Sequence, residues 1–288
     1  MSLAVEAGTT TFLVGGNGSG KSTLLRVLAG LAAPQQGTVR VHGRDIASCS
    51  RRALARRLAH LPQAPLVPDG VTVEELVVLG RHPHRPLLGG PDGADREAVR
   101  WAMGATGVAG FAGRMVSELS GGERQRAWVA LALAQQAPVV LLDEPTTFLD
   151  IRHQLEVLEL LRGLARRQGL AVLAVLHDLN QAAAFADRLV VLGSGRVLAQ
   201  GRPAEVLTAG LVRRAFGVDA DVERRGGTVT CHFRPLTTDA PPASPPQGEP
   251  PDAQAAPAPP GRRRRPGGRL RRGLGPYGRR RRTGRVDR

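Results

Sequence analysis

One stretch decides the fold of this 288-residue chain: Gly15-Gly16-Asn17-Gly18-Ser19-Gly20-Lys21-Ser22-Thr23. It fits the pattern G-x-x-x-x-G-K-[S/T] and lies between an apolar β-branched run, Thr9–Val14, and a helical pattern, Leu24–Leu31. Glycines let the backbone curl so that consecutive N–H groups point at phosphate oxygens, and the helix adds its positive N-terminal end. We therefore predict a phosphate-binding loop in which Lys21 reaches the β- and γ-phosphates and Ser22 coordinates Mg²⁺.

The alternative is a glycine-rich turn that contains Gly-Lys-Ser by chance. The agreement of strand, loop, lysine and helix argues against it. Lys21 is also the only lysine among 40 basic residues. A chain that otherwise uses arginine has kept a compact ammonium at the position where phosphates require one.

A second motif ends the apolar run Val139–Leu142 in two adjacent acids, Asp143 and Glu144. The run is typical of a buried parallel strand, and parallel α/β sheets bind ligands at the carboxyl ends of their strands. We predict that Asp143 holds Mg²⁺ and that Glu144 acts as general base on the attacking water. By itself the pair is explained equally well as a turn with solvated acids, but the phosphate loop makes that explanation weak.

Strand and helix patterns alternate along the chain, which predicts a mainly parallel α/β sheet. A helix is predicted to begin after Ser50 and to run through Ala59, followed by an extended segment, Leu61–Pro65. Ser120 and Glu123 have the spacing of a capping box, so another helix is predicted to begin there.

The stretch Leu119-Ser120-Gly121-Gly122-Glu123-Arg124-Gln125-Arg126 resembles the signature motif of ATP-binding cassette (ABC) ATPases. Other motifs of that family occur in its order: Gln63 after His-Leu-Pro, the Asp143-Glu144 pair, Asp150 after Thr-Phe-Leu, and His177. Five spaced motifs extend the resemblance over roughly residues 9–233.

The resemblance implies the α/β class, with a P-loop NTPase (RecA-like) core and an inserted α-helical lobe. The expected boundaries are 1–65 for the first part of the core, 66–134 for the lobe, and 135–236 for the second part. Residues 237–288 are rich in Pro, Ala, Gly and Arg and are predicted to be a disordered tail.

The resemblance also implies that two copies pair head to tail with two ATP molecules between them. Ser120, Gly121 and Gly122 at a helix start would themselves form a second anion site. The implied roles are ATP binding by Gly15, Gly16, Asn17, Gly18, Ser19, Gly20, Lys21, Ser22 and Thr23; ATP contact from the other copy by Ser120, Gly121, Gly122 and Glu123; Mg²⁺ binding by Ser22, Gln63 and Asp143; catalysis by Glu144 and His177; and a place at the dimer seam for Asp150.

The stretches Gly80-Arg81-His82-Pro83-His84 and Leu87-Leu88-Gly89 are similar to ATPases of importers for ferric siderophores, haem and cobalamin. This narrower resemblance implies an ATPase subunit at the cytoplasmic face of the membrane, docked on separate permease subunits and served indirectly by a substrate-binding protein. The cargo would be an iron–siderophore or related metal chelate, with haem or cobalamin as the alternative. His82 and His84 lack further ligands nearby, so we interpret them as contacts to the permease or solvent rather than as a metal site.

Three departures from the family bear on this interpretation. Gly16 stands where proline is frequent, which should be tolerated, and Phe148 replaces a histidine or other polar residue, so a seam contact is expected to be lost. Only 14 residues precede the phosphate loop, where the family has an extra β-region with an aromatic that stacks on adenine. Phe12 is too close to the loop to serve, so we expect the true start to lie upstream of Met1.

Two rival functions come from other classes. An inactive, truncated cassette would explain the short front. A soluble ABC protein acting on ribosomes or DNA usually carries two cassettes or a long coiled coil, but the roughly 100 residues between Lys21 and Ser120 contain no heptad run.

The net charge of +15 is concentrated in the tail, where residues 237–288 carry a net charge of +9. Disorder without function is the explanation of the tail that we favour, and adhesion to anionic lipid or RNA comes second. Specific nucleic-acid recognition comes last, because Tyr277 is the tail's only aromatic residue and stacking of bases needs more. Nucleic acid is therefore an unlikely partner.

The sequence also predicts the compartment. It contains two cysteines, no long apolar stretch and no basic-then-apolar leader, which predicts a cytosolic chain that neither spans a membrane nor is exported.

Overall fold

Six strands form the central sheet of the computed structural model, which describes residues 1–63, 65, 69–86, 90–147 and 149–235. These strands are β1 (Thr10–Gly15), β4 (Leu58–Leu61), β5 (Val139–Asp143), β6 (Ala171–Val175), β7 (Arg188–Gly193) and β8 (Arg196–Gly201). Their order across the sheet is β4-β5-β6-β1-β7-β8, and β8 pairs antiparallel with β7 while the other neighbours are parallel. Two antiparallel pairs lie outside this sheet: β2 (Arg40–Val41) with β3 (Arg44–Asp45), and β9 (Ala220–Arg225) with β10 (Thr228–Phe233).

The helices of the described part begin after side chains that accept backbone N–H groups in most cases, which is why polar residues precede them. They are α1 (Lys21–Leu28), α2 (Arg51–Ala55), α3 (Val73–Leu79), α4 (Gly93–Ala105), α5 (Gly121–Ala134), α6 (Ile151–Gln168), α7 (Leu179–Phe185), α8 (Pro203–Val206) and α9 (Ala209–Phe216). The predicted capping box at Ser120 is confirmed, because Ser120 Oγ accepts from Glu123 N at 3.3 Å and Glu123 Oε2 accepts from Ser120 N at 2.8 Å.

The prediction of a helix through Ala59 is wrong. Ser50 does cap a helix, but α2 ends at Ala55 and the chain then enters β4, whose Leu58 pairs with Val139 of β5. Because β4 buries apolar side chains and pairs with β5, tertiary packing overrides the local helical pattern.

Adjacent residues of the central strands face opposite sides of the sheet, so both faces carry apolar layers. Phe12 packs in one layer and Leu13 in the other, and both are fully buried. Phe12 is therefore a core residue without exposed surface, so it is not available to stack on a base. This arrangement confirms the predicted α/β class with α3–α5 inserted between β4 and β5, while the boundaries of the domains stay predictions.

The strand order brings the sequence motifs to one edge of the sheet. β1 ends in the phosphate loop, β5 ends at Asp143, and β6 ends two residues before His177. Since β1, β6 and β5 are parallel neighbours, their carboxyl ends open on the same side.

A buried ion pair ties together the inserted helices. Arg81 follows α3, and its Nε lies 2.8 Å from Asp95 Oδ1 in α4, with both side chains almost fully buried. Its Nη1 donates to the Ala134 carbonyl at the end of α5 and to Gln136 Oε1, each at 2.8 Å. One guanidinium therefore fixes the ends of three helices.

The segment from α8 to β10 packs back on α7 and on the central sheet through α9. Its helices are short and β9 is largely exposed, so the sequence pattern does not predict these elements.

The predictions for residues 237–288, for Leu87-Leu88-Gly89 and for Phe148 lie outside the described residues. In the part that is described, no helix combines the length and the apolar character needed to cross a bilayer.

Replacing Asp95 with alanine should lower the free energy of unfolding by about 3–5 kcal/mol, because Arg81 would keep a buried charge without its partner. Burial is the largest influence on the pKa of Asp95 and raises it, but the Arg81 and Asp92 interactions outweigh burial and hold that pKa below its usual value. The stabilisation is therefore present at neutral pH and lost as the pH falls through the lowered pKa.

Chemical denaturation measures both effects. Arg152→Ala is the matched control, because it removes an exposed ion pair with Glu156 and should change the unfolding free energy little. Equal losses in the two variants would contradict the importance assigned to the buried pair.

Candidate functional site

The phosphate loop is shaped by glycines in backbone conformations that other residues rarely adopt. Gly15, Gly18 and Gly20 have φ values of +153°, +74° and +96°. A Cβ on Gly15 would lie 2.3 Å from the carbonyl oxygen of Leu192 in β7, so a side chain is excluded there. Gly20 then precedes α1, whose N-terminus faces the loop. These backbone conformations curl the chain into the tight turn from which a phosphate-binding loop is built.

Lys21 is 7% exposed, and its side chain folds back onto the start of the loop. Its Nζ donates to the carbonyl oxygens of Gly15 at 2.8 Å and Gly16 at 3.0 Å, which leaves one of its three N–H groups for another acceptor. Burial lowers the pKa of this ammonium, although the nearby charges of Glu144 and Asp143 act in the opposite direction. A desolvated cation beside a curled loop fits the β- and γ-phosphates of a nucleotide.

The structure brings two of the three predicted magnesium ligands together. Ser22 Oγ donates to Asp143 Oδ1 at 3.3 Å across the edge of the sheet. Burial raises the pKa of Asp143, an effect reinforced by Glu144 and opposed by Ser22 and Lys21. A hydroxyl and a carboxylate, both hard oxygen donors beside a phosphate loop, fit Mg²⁺.

Glu144 is the centre of a second group of contacts. Its backbone has a φ of +53°, and its side chain is 8% exposed. Oε1 lies 2.5 Å from His177 Nε2, while Oε2 accepts from Gln63 Nε2 at 2.5 Å and from Thr147 Oγ1 at 3.0 Å. The backbone strain and the three partners from three segments place this carboxylate at a fixed position.

His177 is 51% exposed, in contrast to the carboxylate that it contacts. Asp178 follows it and accepts the N–H groups of Asn180 and Gln181, so α7 begins immediately behind the imidazole. The site therefore combines a buried base candidate with an imidazole that is open to solvent or to a ligand.

The signature turn lies apart from these groups. Ser120 and Gly121 are exposed, whereas Gly122 is buried against the ring of His153. A Cβ on Gly122 would lie only 2.9 Å from that ring. Within the described ranges, no hydrogen bond or ion pair joins Ser120–Glu123 to the phosphate loop or to Glu144. One chain therefore carries two separate anion-binding candidates.

Asp150 caps α6 at the surface. Its Oδ1 accepts from His153 N at 2.9 Å and lies 2.7 Å from His153 Nδ1. The hydrogen bond from the backbone of His153 is the main reason that the pKa of Asp150 lies below its usual value. An exposed, ionised Asp150 is available to a second molecule.

Two tethers of the site have no signal in the local sequence. Gly16 N donates to the carbonyl oxygen of Ala215 in α9 at 3.2 Å, a bond that the proline frequent at this position could not make. Asn180 accepts from Cys231 N at 2.7 Å and donates to Cys231 O at 3.1 Å, which ties α7 to β10. Their partners lie far along the chain, so only the fold reveals them.

His82 and His84 are predicted from sequence to contact the permease or solvent. For His84 the structure shows a contact within the chain instead: its Nε2 lies 2.8 Å from the carbonyl oxygen of Gln135. No cluster of three His, Cys, Asp or Glu suited to a metal occurs among the residues that the structure describes.

Substituting Gly15 and Gly18 with alanine separates steric exclusion from conformational strain. Both have positive φ, but a Cβ on Gly18 meets nothing within 4 Å. Gly18→Ala should lower the free energy of unfolding by about 1–2 kcal/mol and Gly15→Ala by more, as measured by denaturation. Similar losses would show that the approach of Leu192 does not constrain the loop.

The sequence matches a family model described as ABC transporter over residues 1–147. The ferric enterobactin transport ATP-binding protein FepC of Escherichia coli (strain K12) is 47% identical over 218 residues, which cover 76% of this chain and 80% of FepC.

Solved structures agree with this match. An inward-facing metal-chelate type ABC transporter superposes with a TM-score of 0.71 at 29% identity, covering 83% of this chain and 90% of that chain. The bacterial ABC transporter cassette MJ0796, solved as a dimer, gives a TM-score of 0.62 at 28% identity, covering 70% and 88%. A post-hydrolysis structure of the same cassette holds ADP and Pi. The chain thus belongs to the ABC transporter family and is one of its subunits that bind and hydrolyse ATP.

Proposed function

We propose that this chain is the ATPase subunit that drives uptake of an iron–siderophore or related metal chelate through separate membrane-spanning permease subunits. The observation that carries the proposal is the placement of Glu144, held by His177 and Gln63 beside the phosphate loop. The similarity to FepC, which is named for ferric enterobactin transport, supports the class of cargo.

The proposed reaction is attack of water on the γ-phosphorus of ATP, with cleavage of the bond to the β–γ bridging oxygen. Residues 15–23 bind and orient the triphosphate, and Lys21 offers its remaining N–H to it. Glu144 accepts the proton of the attacking water, and His177 orients the Glu144 carboxylate. The products are ADP and inorganic phosphate.

Ser22, Asp143 and Gln63 would hold the magnesium ion. Ser22 and Asp143 are in contact, and Gln63 keeps its amide oxygen free when its Nε2 donates to Glu144. When bound, Mg²⁺ supplies charge neutralisation on the β- and γ-phosphate oxygens.

Two copies would complete the site. The exposed Ser120 turn offers helix N–H groups that its own chain does not direct at the phosphate loop. In a head-to-tail pair, that turn of one copy would close over ATP bound by the other, with Asp150 at the seam. The dimeric structure of MJ0796 supports this arrangement.

The permease would hold the pair at the cytoplasmic face of the membrane, and a substrate-binding protein would deliver the chelate. Haem and cobalamin remain the alternative cargoes, because selectivity resides in those partners.

Glu144→Gln in the complete permease complex tests the proposed chemistry. Hydrolysis should fall by about 10²–10⁴-fold, the usual contribution of a general base, while binding of labelled ATP is retained. Phosphate release and nucleotide binding measure the two effects. Glu159→Gln, an exposed acid on α6, is the control and should hydrolyse normally. Normal hydrolysis by Glu144→Gln, or none by the wild-type complex, would contradict the proposal.

Uptake by proteoliposomes containing the complex and its binding protein tests the cargo. Ferric enterobactin, haem and cyanocobalamin serve as probes, and ATP-dependent accumulation is expected for the ferric siderophore class. Accumulation of cyanocobalamin or haem alone would overturn the cargo assignment and leave the ATPase assignment intact.

A further inference from the structure

Helix α6 carries a glutamine that joins two parts of the site. Gln154 Nε2 donates to the carbonyl oxygens of Thr146 at 3.3 Å and Leu149 at 3.0 Å. Its Oε1 accepts from Nε2 of Gln181, in the first turn of α7, at 2.7 Å. Residues 27 positions apart are thus joined by an amide pair, which we call the Gln154–Gln181 bridge.

The polarity of the bridge is fixed by chemistry. The two backbone carbonyls can only accept, so the NH₂ group of Gln154 must face them. Its oxygen then faces Gln181, which must donate. A carboxylate in place of Gln181 would oppose the Gln154 oxygen, whereas a side chain that keeps an N–H donor would preserve the contact.

Both ends of the bridge lead to the Glu144 carboxylate. On one side, the two carbonyls belong to the segment that carries Thr147, whose Oγ1 donates to Glu144 at 3.0 Å. On the other, Asp178 accepts from Gln181 N at 2.9 Å, so Gln181 belongs to the capped turn that directly follows His177. His177 in turn contacts Glu144, with its Nε2 2.5 Å from Glu144 Oε1, so the bridge is linked to the same carboxylate from both of its ends.

The opposite side of this turn is tied to β10. The side chain of Asn180 makes two hydrogen bonds to the backbone of Cys231, so the first turn of α7 is held between β10 and Gln154. Gln154 donates to the carbonyl oxygen of Leu149, which immediately precedes Asp150, the exposed cap of α6. A displacement at Asp150 would therefore reach the turn behind His177 through the two side chains of the Gln154–Gln181 bridge.

We propose that Gln154 and Gln181 are positioning residues that hold His177 in register with the segment preceding Asp150, so that contact with the second copy at Asp150 sets His177 against Glu144. This inference rests on the proposed function. Neither glutamine contacts the reacting atoms; each acts through the backbone that it holds.

The test measures steady-state hydrolysis by the complete permease complex with Gln154→Leu, Gln181→Leu and the double variant. A misplaced imidazole should lower kcat about 10- to 100-fold while KM for ATP stays within about twofold, because the phosphate loop is untouched. The double variant should be no worse than the stronger single variant, since all three remove the same contact.

Gln181 offers two further variants of opposite polarity. Gln181→Lys keeps an N–H donor and should restore most of the lost kcat, whereas Gln181→Glu should be at least as impaired as Gln181→Leu. A merely structural glutamine would not show this dependence on donor character.

Gln135→Leu is the matched control. Gln135 Nε2 also donates to two backbone carbonyls, those of Ala55 and Leu58, but away from the Glu144 contacts. It should lower the thermal midpoint and leave kcat unchanged. An equal fall of kcat in this control would assign the effect to general destabilisation and overturn the inference.

The remaining outcomes are distinct. An active wild-type complex whose kcat is unaffected by Gln154→Leu and by Gln181→Glu contradicts the inference alone. A wild-type complex that hydrolyses no ATP contradicts the proposed function and the inference with it.

Discussion

The burial of the Glu144 carboxylate is the constraint on which the site depends. A charged group removed from water must be satisfied by nearby donors, and here they come from three segments through Gln63, Thr147 and His177. The order of the parallel strands makes this meeting possible, since β5 and β6 are neighbours and end at the same edge. The sheet thus converts motifs that lie far apart in sequence into one group of contacts next to Lys21.

The two candidate anion-binding sites of the chain differ in how far each is completed by its own chain. The phosphate loop is closed by its own lysine and tethered by Ala215, whereas the Ser120 turn is exposed. In the proposed head-to-tail pair, a site divided in this way would be completed only when two copies meet around a nucleotide, so the presence of a γ-phosphate would be converted into movement. The buried Arg81–Asp95 pair keeps the helices that carry the Ser120 turn together as one unit.

Sequence reasoning works best where the information is local. The Ser120 capping box is confirmed, since its two partners are three residues apart. The phosphate loop and the Asp143-Glu144 pair lie at the same edge of the sheet, while their roles toward nucleotide and Mg²⁺ stay predictions. Sequence reasoning failed at β4, where partners 81 residues away outweigh a helical pattern. The Gly16–Ala215 and Gln154–Gln181 contacts also escaped it, because backbone carbonyls and amide side chains carry no pattern that identifies a distant partner.

In the proposed dimer, two copies hold ATP between the Lys21 loop of one and the Ser120 turn of the other. Distances between spin labels in the complete permease complex of Glu144→Gln test this arrangement directly. One label replaces Arg196, next to the Gly195 N–H that bonds to Ser19 of the loop, and the other replaces Glu118, before the Ser120 turn. Cys49 and Cys231 are replaced so that only the chosen positions carry a label. Head-to-tail closure predicts that magnesium and ATP shorten and narrow the distance between copies. Bound nucleotide with unchanged distances would contradict it.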